Sequence, residues 1–207
     1  AVAQPQLQLE NATLQLNTKL ADVYDGTVAN SRVWLNKNSS PVGAVSFQGK
    51  NAAAETARTQ GLKLEFDRDT QTVKATLEEG YTVKPGAYTY ILKATVGDNS
   101  GVKTKDQKLT VKVVNGDKAK VSASMSAKGS INLLDRANTS IVYKPTFKNM
   151  TAKVTGVSLS AADQKLFTAT TENGQITLKA LPGVAMNVKQ QYTVTLKLDL
   201  DNGYKDY

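Results

Sequence analysis

The stretch YTYILKATV, residues 88 to 96, alternates without interruption, placing Tyr88, Tyr90, Leu92, Ala94 and Val96 on one face. Residues 192 to 200, YTVTLKLDL, repeat the pattern with Tyr192, Val194, Leu196, Leu198 and Leu200. The opposite face of this second stretch carries Thr193, Thr195, Lys197 and Asp199, continued by Asp201. A period of two with one apolar face marks an antiparallel strand that has one side in a core. A chain that writes such a strand twice is constrained to a sheet architecture built twice.

The repeat extends upstream. TQTVKATL (70–77) matches NGQITLKAL (173–181), so that Val73, Ala75 and Leu77 answer Ile176, Leu178 and Ala180. GLKLEF and QKLFTA precede them, and NSRVWLNKN resembles TSIVYKPTF, which pairs Trp34 with Tyr143. Two copies of one module, residues 1 to 115 and 118 to 207, account for the chain, with the polar joint NGDK between them. Turn signals such as SSPVG, KPGAY, ENG and LDNG punctuate both copies. NAAAETAR (51–58) and SAADQK (160–165) are rich in helix formers and predict one helical turn each, with Ser160 as an N-cap. Six or seven short strands per copy with little helix predict an all-β fold of two tandem β-sandwiches. Tyr88 and Tyr192, each opening a long strand, are the structural candidates for a tyrosine corner, in which the hydroxyl bonds back to the main chain.

The last strand differs between copies. In the first, QKLTVKVV (107–114) closes the sandwich; in the second, nothing equivalent follows DNGYKDY. The second module is therefore expected to lack its closing strand and to expose an edge beside Val194, Leu196 and Leu198, which another segment would fill.

Chemistry is limited by what the chain lacks. It has no histidine and no cysteine, which removes Ser-His-Asp and Cys-His catalysis and thiolate or imidazole zinc sites. Glu78 and Glu79 are adjacent and point to opposite faces of a strand, so they cannot flank one substrate atom. Asp199 and Asp201 are the weak candidates for a metal, but their loop lacks the third spaced carboxylate and the closing Glu of a calcium loop. No enzyme activity, metal or cofactor is expected.

The absence of cysteine points to the cytosol or to a surface protein of the Gram-positive type. Asn11, Asn38, Asn138 and Asn149 head N-x-S/T sequons that the Asn, Ser and Thr content explains by chance. The net charge of +8 divides into +3 (14 basic, 11 acidic) up to residue 116 and +5 (12 basic, 7 acidic) beyond it. It is spread as single lysines alternating with apolar residues, such as Lys108, Lys112 and Lys179, which reads as solvated sheet faces and not as a nucleic-acid surface. No apolar run reaches the length of a membrane span, so no membrane insertion is expected of this segment.

Trp34 is the single tryptophan. Burial of its ring, as on the third strand of many sandwiches, is the phase expected here. In the other phase Val33 and Leu35 face the core, and Trp34 shares an outer face with Arg32 and Asn36 as a ligand-binding candidate. Tyr81, whose counterpart in the second copy is not aromatic, joins that set.

FTATTENGQITLKAL (167–181), followed by QYTVTLKLDLDNG (191–203), resembles the immunoglobulin-like modules strung along large bacterial cell-surface proteins. That resemblance covers about half the chain. It implies an extracellular stalk or adhesin segment, with neighbouring repeats of the same chain, a host protein such as immunoglobulin or another glycoprotein, or a glycan as partners. An accessory module of a large extracellular carbohydrate-active enzyme is the further alternative. Lys–Asn isopeptide crosslinks occur in such modules, but no residue trio marks one here.

Overall fold

The computed structural model describes residues 4–18, 26–116, 120–125 and 129–207. Asp117 and Lys118 of the expected joint lie outside the described residues. The chain divides into two compact units, Ala1–Lys120 with Asn149–Thr151, and Val121–Lys148 with Ala152–Tyr207.

The first unit contains β1 (Leu7–Leu9), β2 (Thr13–Asn17), β3 (Val28–Leu35), β4 (Val42–Gly49), α1 (Ala52–Thr59), β5 (Leu62–Asp67), β6 (Thr72–Leu77), β7 (Gly86–Val96), β8 (Asn99–Lys103) and β9 (Gln107–Val114). One sheet has the order β1-β3-β6-β5 and the other β2-β9-β7-β4, with β8 paired to β7. Lettered along the chain, with β1 and β2 as A and A′, these sheets read A-B-E-D and A′-G-F-C. That is the strand order of an immunoglobulin-type sandwich. The first strand changes sheets between Leu9 and Thr13, which is why β2 runs parallel to β9 while the ladders around it are antiparallel. Inward residues of both sheets merge into one core, among them Leu7, Val33 and Val73 from one and Leu14, Leu92 and Val111 from the other. Burying each such side chain contributes about 1.5–3 kcal/mol.

Between β4 and β5 the chain forms two full turns of helix, longer than the single turn expected. Asn51 caps it by accepting the Ala54 amide at 3.0 Å. Ala54 and Ala57 are buried, and their small side chains let the helix approach the core closely. Tyr90 Oη, fully buried, donates to the Ala54 carbonyl at 2.7 Å and ties the helix to β7.

The second unit contains β10 (Ser122–Ser124), β11 (Ile141–Tyr143), β12 (Thr146–Lys148), β13 (Val154–Leu159), β14 (Phe167–Glu172), β15 (Gln175–Ala180) and β16 (Leu196–Leu200). They form the sheets β11-β15-β14, β13-β16 and β10-β12. The helix former SAADQK gives only a 3-10 turn at Asp163–Lys165; Ser160 Oγ accepts the Asp163 amide at 3.2 Å.

The two units share a framework. The order β3-β6-β5 recurs as β11-β15-β14, and the β4–β7 pair recurs as β13–β16. The ladder Val42↔Val96 to Phe47↔Leu92 matches Val154↔Leu200 to Leu159↔Leu196, and both ladders shift register after their first pair. A conserved irregularity of this kind bends the strand at the same point in each unit. The register also corrects one pairing made from sequence. Val73 lies opposite Ser31, and Ile176 lies opposite Tyr143. With Val73 and Ile176 equivalent, Tyr143 answers Ser31 and not Trp34.

The strand expected from Tyr192 begins only at Leu196. In the first unit the early part of β7 pairs with β9 over Gly86–Leu92, and β4 joins it on the other side from Tyr90 onward. Among the described residues no second ladder flanks 192–195, so this stretch lacks the partners that make a strand, although its alternation is intact. On β16 itself the chain turns at Asn202–Gly203 and comes back. Leu198 and Tyr207 exchange both backbone hydrogen bonds, at 3.0 and 2.8 Å, and the Leu200 amide donates to the Tyr204 carbonyl at 2.9 Å. The pair Ala94–Thr104 makes the analogous contact beside β7, where the Thr104 amide donates to the Ala94 carbonyl at 2.9 Å and Thr104 Oγ1 accepts the Ala94 amide at 3.0 Å.

Candidate functional site

On β3, Val33 and Leu35 are 1% and 4% exposed, and Trp34 between them is 37% exposed. The burial expected for Trp34 is therefore corrected: two β-branched or branched-aliphatic neighbours claim the core, and the alternation of the strand leaves the indole outside. This face is the outer one of the β1-β3-β6-β5 sheet. Arg32, two residues earlier, points the same way and holds its guanidinium carbon 4.6 Å from the centre of the indole ring. A cation at this distance from an aromatic face gains about 0.5–1 kcal/mol at an exposed site.

The ladders position the neighbours. Gln8 of β1 lies directly across from Trp34, and Thr72 of β6 directly across from Arg32. Asn36 is exposed just past the strand, where its backbone amide donates to the Gln6 carbonyl at 2.9 Å. Arg32, Trp34, Gln8 and Thr72 thus occupy contiguous positions on one outer sheet face, with Asn36 at its rim. Farther along the same face Lys74 reaches Glu65 at 3.2 Å and Lys63 reaches the same carboxylate at 3.7 Å. Among the described residues, no carboxylate stands within ion-pair distance of Arg32.

Tyr81 is not part of this group. It follows β6, whose end bonds back through the Leu77 amide to Thr27 at the start of β3, whereas Trp34 sits at the other end of β3. Its ring is partly buried against the core, and its backbone presses on Gly61, where an added Cβ would lie 2.8 Å from Tyr81 Cβ. It borders an open, shallow hollow of about 560 Å³ with Glu78, Glu79 and Leu77.

Asp199 and Asp201 serve the main chain. One Asp201 carboxylate oxygen accepts the Lys153 amide at 2.8 Å, and one Asp199 oxygen accepts the Asp206 amide at 3.2 Å. Among the described residues no three acidic side chains gather into a group able to hold a metal ion.

Both tyrosines singled out by their positions bond to the main chain with opposite polarity. Tyr88 Oη donates to the Lys84 carbonyl at 2.6 Å, four residues upstream. Tyr192 Oη accepts the Asn187 amide at 2.9 Å, and its ring meets Phe167 edge-on at 5.8 Å. The alternative phase read from the sequence already put Arg32 and Trp34 on one outer face; their stacking follows from the i, i+2 spacing on that face.

The D00-D0 domain of intimin superposes with a TM-score of 0.38 at 14% identity, over 85% of this chain and 85% of its own. A human desmocollin-1 ectodomain gives a TM-score of 0.33 at 12% identity, over 98% of this chain and 35% of its own. The chain thus spans about a third of the length of that ectodomain. No protein-family model and no curated protein matches the chain. No helix among the described residues is long and apolar enough to cross a membrane.

Proposed function

We propose that the chain is a non-catalytic tandem immunoglobulin-like module of a bacterial cell-surface protein, acting outside the cell as a stalk or adhesin segment. The observation that supports this is the shared framework: two units repeat the same five strands with the same register shift, an arrangement suited to stacking along a chain. The missing His and Cys leave a set of side chains ill suited to nucleophilic or metal chemistry.

A second reading, adhesion to a host protein or glycan, is favoured by the outward Trp34 stacked with Arg32. Aromatic and arginine side chains are the residues over-represented where binding energy concentrates. Passing serum proteins and mucin over the immobilised chain separates the two. Saturable retention lost in Trp34→Ala supports adhesion, and no saturable retention supports the stalk. Turnover of a glycan by the purified chain would contradict both.

A further inference from the structure

We infer that the Arg32–Trp34 face is a subsite for a carboxylated saccharide, an inference that rests on the adhesive reading above and specifies its ligand. Three observations carry it. The first is charge. Lys63 and Lys74 share Glu65, so the positive charges farther along the face already have a carboxylate. Asp67, in the same cross-strand row as Thr72 and Arg32, is engaged by the Asp69 and Thr70 amides at 2.9 and 3.3 Å. Glu10 flanks Arg32 on the β1 side, where its amide donates to the Arg32 carbonyl at 2.9 Å; among the described residues no carboxylate lies within ion-pair distance of the Arg32 guanidinium, which is held over an aromatic ring.

The second observation is geometry. A guanidinium held against an indole by its face keeps N–H donors at its rim, in the fork arrangement that matches a carboxylate. Stacking also restricts the side chain before a ligand arrives, so less rotamer freedom is lost on binding. The third is the surrounding chemistry. Trp34, 37% exposed, offers the part of its indole that Arg32 leaves uncovered, an electron-rich surface to which the electropositive C–H face of a sugar ring is attracted. Gln8 lies across from Trp34 and Thr72 across from Arg32, with Asn36 at the rim; amide and hydroxyl groups match sugar hydroxyls. An acidic peptide would satisfy Arg32 but would make little use of the indole and the amide and hydroxyl groups around it.

Trp34, the single tryptophan, reports directly. The intact chain is titrated at low salt with trigalacturonic acid, with its methyl ester, and with a trimer of glutamate, following indole fluorescence and checking by calorimetry. The acid should perturb the fluorescence saturably, and the ester should bind about tenfold or more weakly, because a charge-assisted fork is lost. Arg32→Gln should lower binding of the acid to the level of the ester, while its far-ultraviolet circular dichroism at 25 °C stays that of the parent chain. Trp34→Ala, followed by calorimetry, should abolish binding of both. Equal binding of acid and ester would overturn the charge assignment while leaving adhesion standing. Equal binding of glutamate trimer and uronate would overturn the saccharide assignment. Absence of binding by all three would overturn the inference, and the Trp34-dependent retention of serum proteins or mucin would then decide the adhesive reading separately.

Discussion

Gln71 and Val42 are joined by two hydrogen bonds: Gln71 Oε1 accepts the Val42 amide at 2.8 Å, and Nε2 donates to the Val42 carbonyl at 2.9 Å. Val42 opens β4 in one sheet, and Gln71 ends the turn between β5 and β6 in the other. The side-chain amide therefore acts as a piece of β-backbone that spans the two layers. The same residue holds φ at +53° and offers its own carbonyl to the Val33 amide at 2.9 Å, one position before Trp34.

Removing this clamp leaves both polar groups of Val42, a fully buried residue, without partners. Gln71→Ala, which keeps the Cβ and so the left-handed strain of the parent, should destabilise the first unit by about 1–3 kcal/mol, the cost of unsatisfied buried groups. Gln71→Gly should cost less, because it relieves the about 1–2 kcal/mol by which the left-handed backbone penalises a Cβ. Urea denaturation of both variants measures the difference, and an unchanged midpoint in Gln71→Ala would remove the clamp from the account.

Tyr90 gives a pH signature. Burial is the main cause pushing its hydroxyl up to about 12, against the neighbouring Arg58, which lowers it. The folded state holds the proton through the range where the unfolded chain, with a tyrosine near 10, gives it up. Its contribution is thus complete below pH 10 and is lost as pH rises from about 10 to 12, on the order of 2–3 kcal/mol in all. Stability measured across this window should fall less steeply in Tyr90→Phe than in the parent chain.

Tyr88→Phe removes the bond to the Lys84 carbonyl and should cost on the order of 1 kcal/mol. An unchanged denaturation midpoint would show that the corner hydroxyl adds nothing to the hairpin that precedes β7.

Calcium should not matter to folding. The Asp199 and Asp201 carboxylates accept the Asp206 and Lys153 amides, and these bonds hold the turn after β16 without an ion. The Tm should stay the same with chelator or with millimolar calcium, whereas Asp201→Ala should lower it. A calcium-induced rise abolished by Asp199→Ala with Asp201→Ala would contradict this.

Much of the framework was legible because period-two alternation survives where strands pair on both sides. TVKATL and QITLKA are the central strands of their sheets, and both alternate as read. The Asn173–Gly174 hairpin was equally plain: both residues have positive φ, as a two-residue primed turn demands, and Glu172 faces Gln175 across it. Alternation alone misled at Tyr192, since a pattern does not supply the neighbouring strand that makes it a ladder. It was ambiguous at Trp34, because NSRVWL offers apolar residues at three successive positions, and only the competition between Val33–Leu35 and Trp34 for the core selects the phase. The length of α1 followed from contacts distant in sequence, chiefly the Tyr90 hydroxyl on the Ala54 carbonyl, which local propensity does not report.

The placement of Trp34 on the outer face beside Arg32 is tested most directly by collisional quenching of its fluorescence in the native chain. A single tryptophan makes the signal unambiguous. The account predicts red-shifted native emission, ready quenching by acrylamide, and stronger quenching by iodide than by caesium, because the neighbouring guanidinium attracts the anion. That preference should vanish in Arg32→Gln and at high salt. Blue-shifted emission shielded from all three quenchers would put the indole in the core and contradict the account.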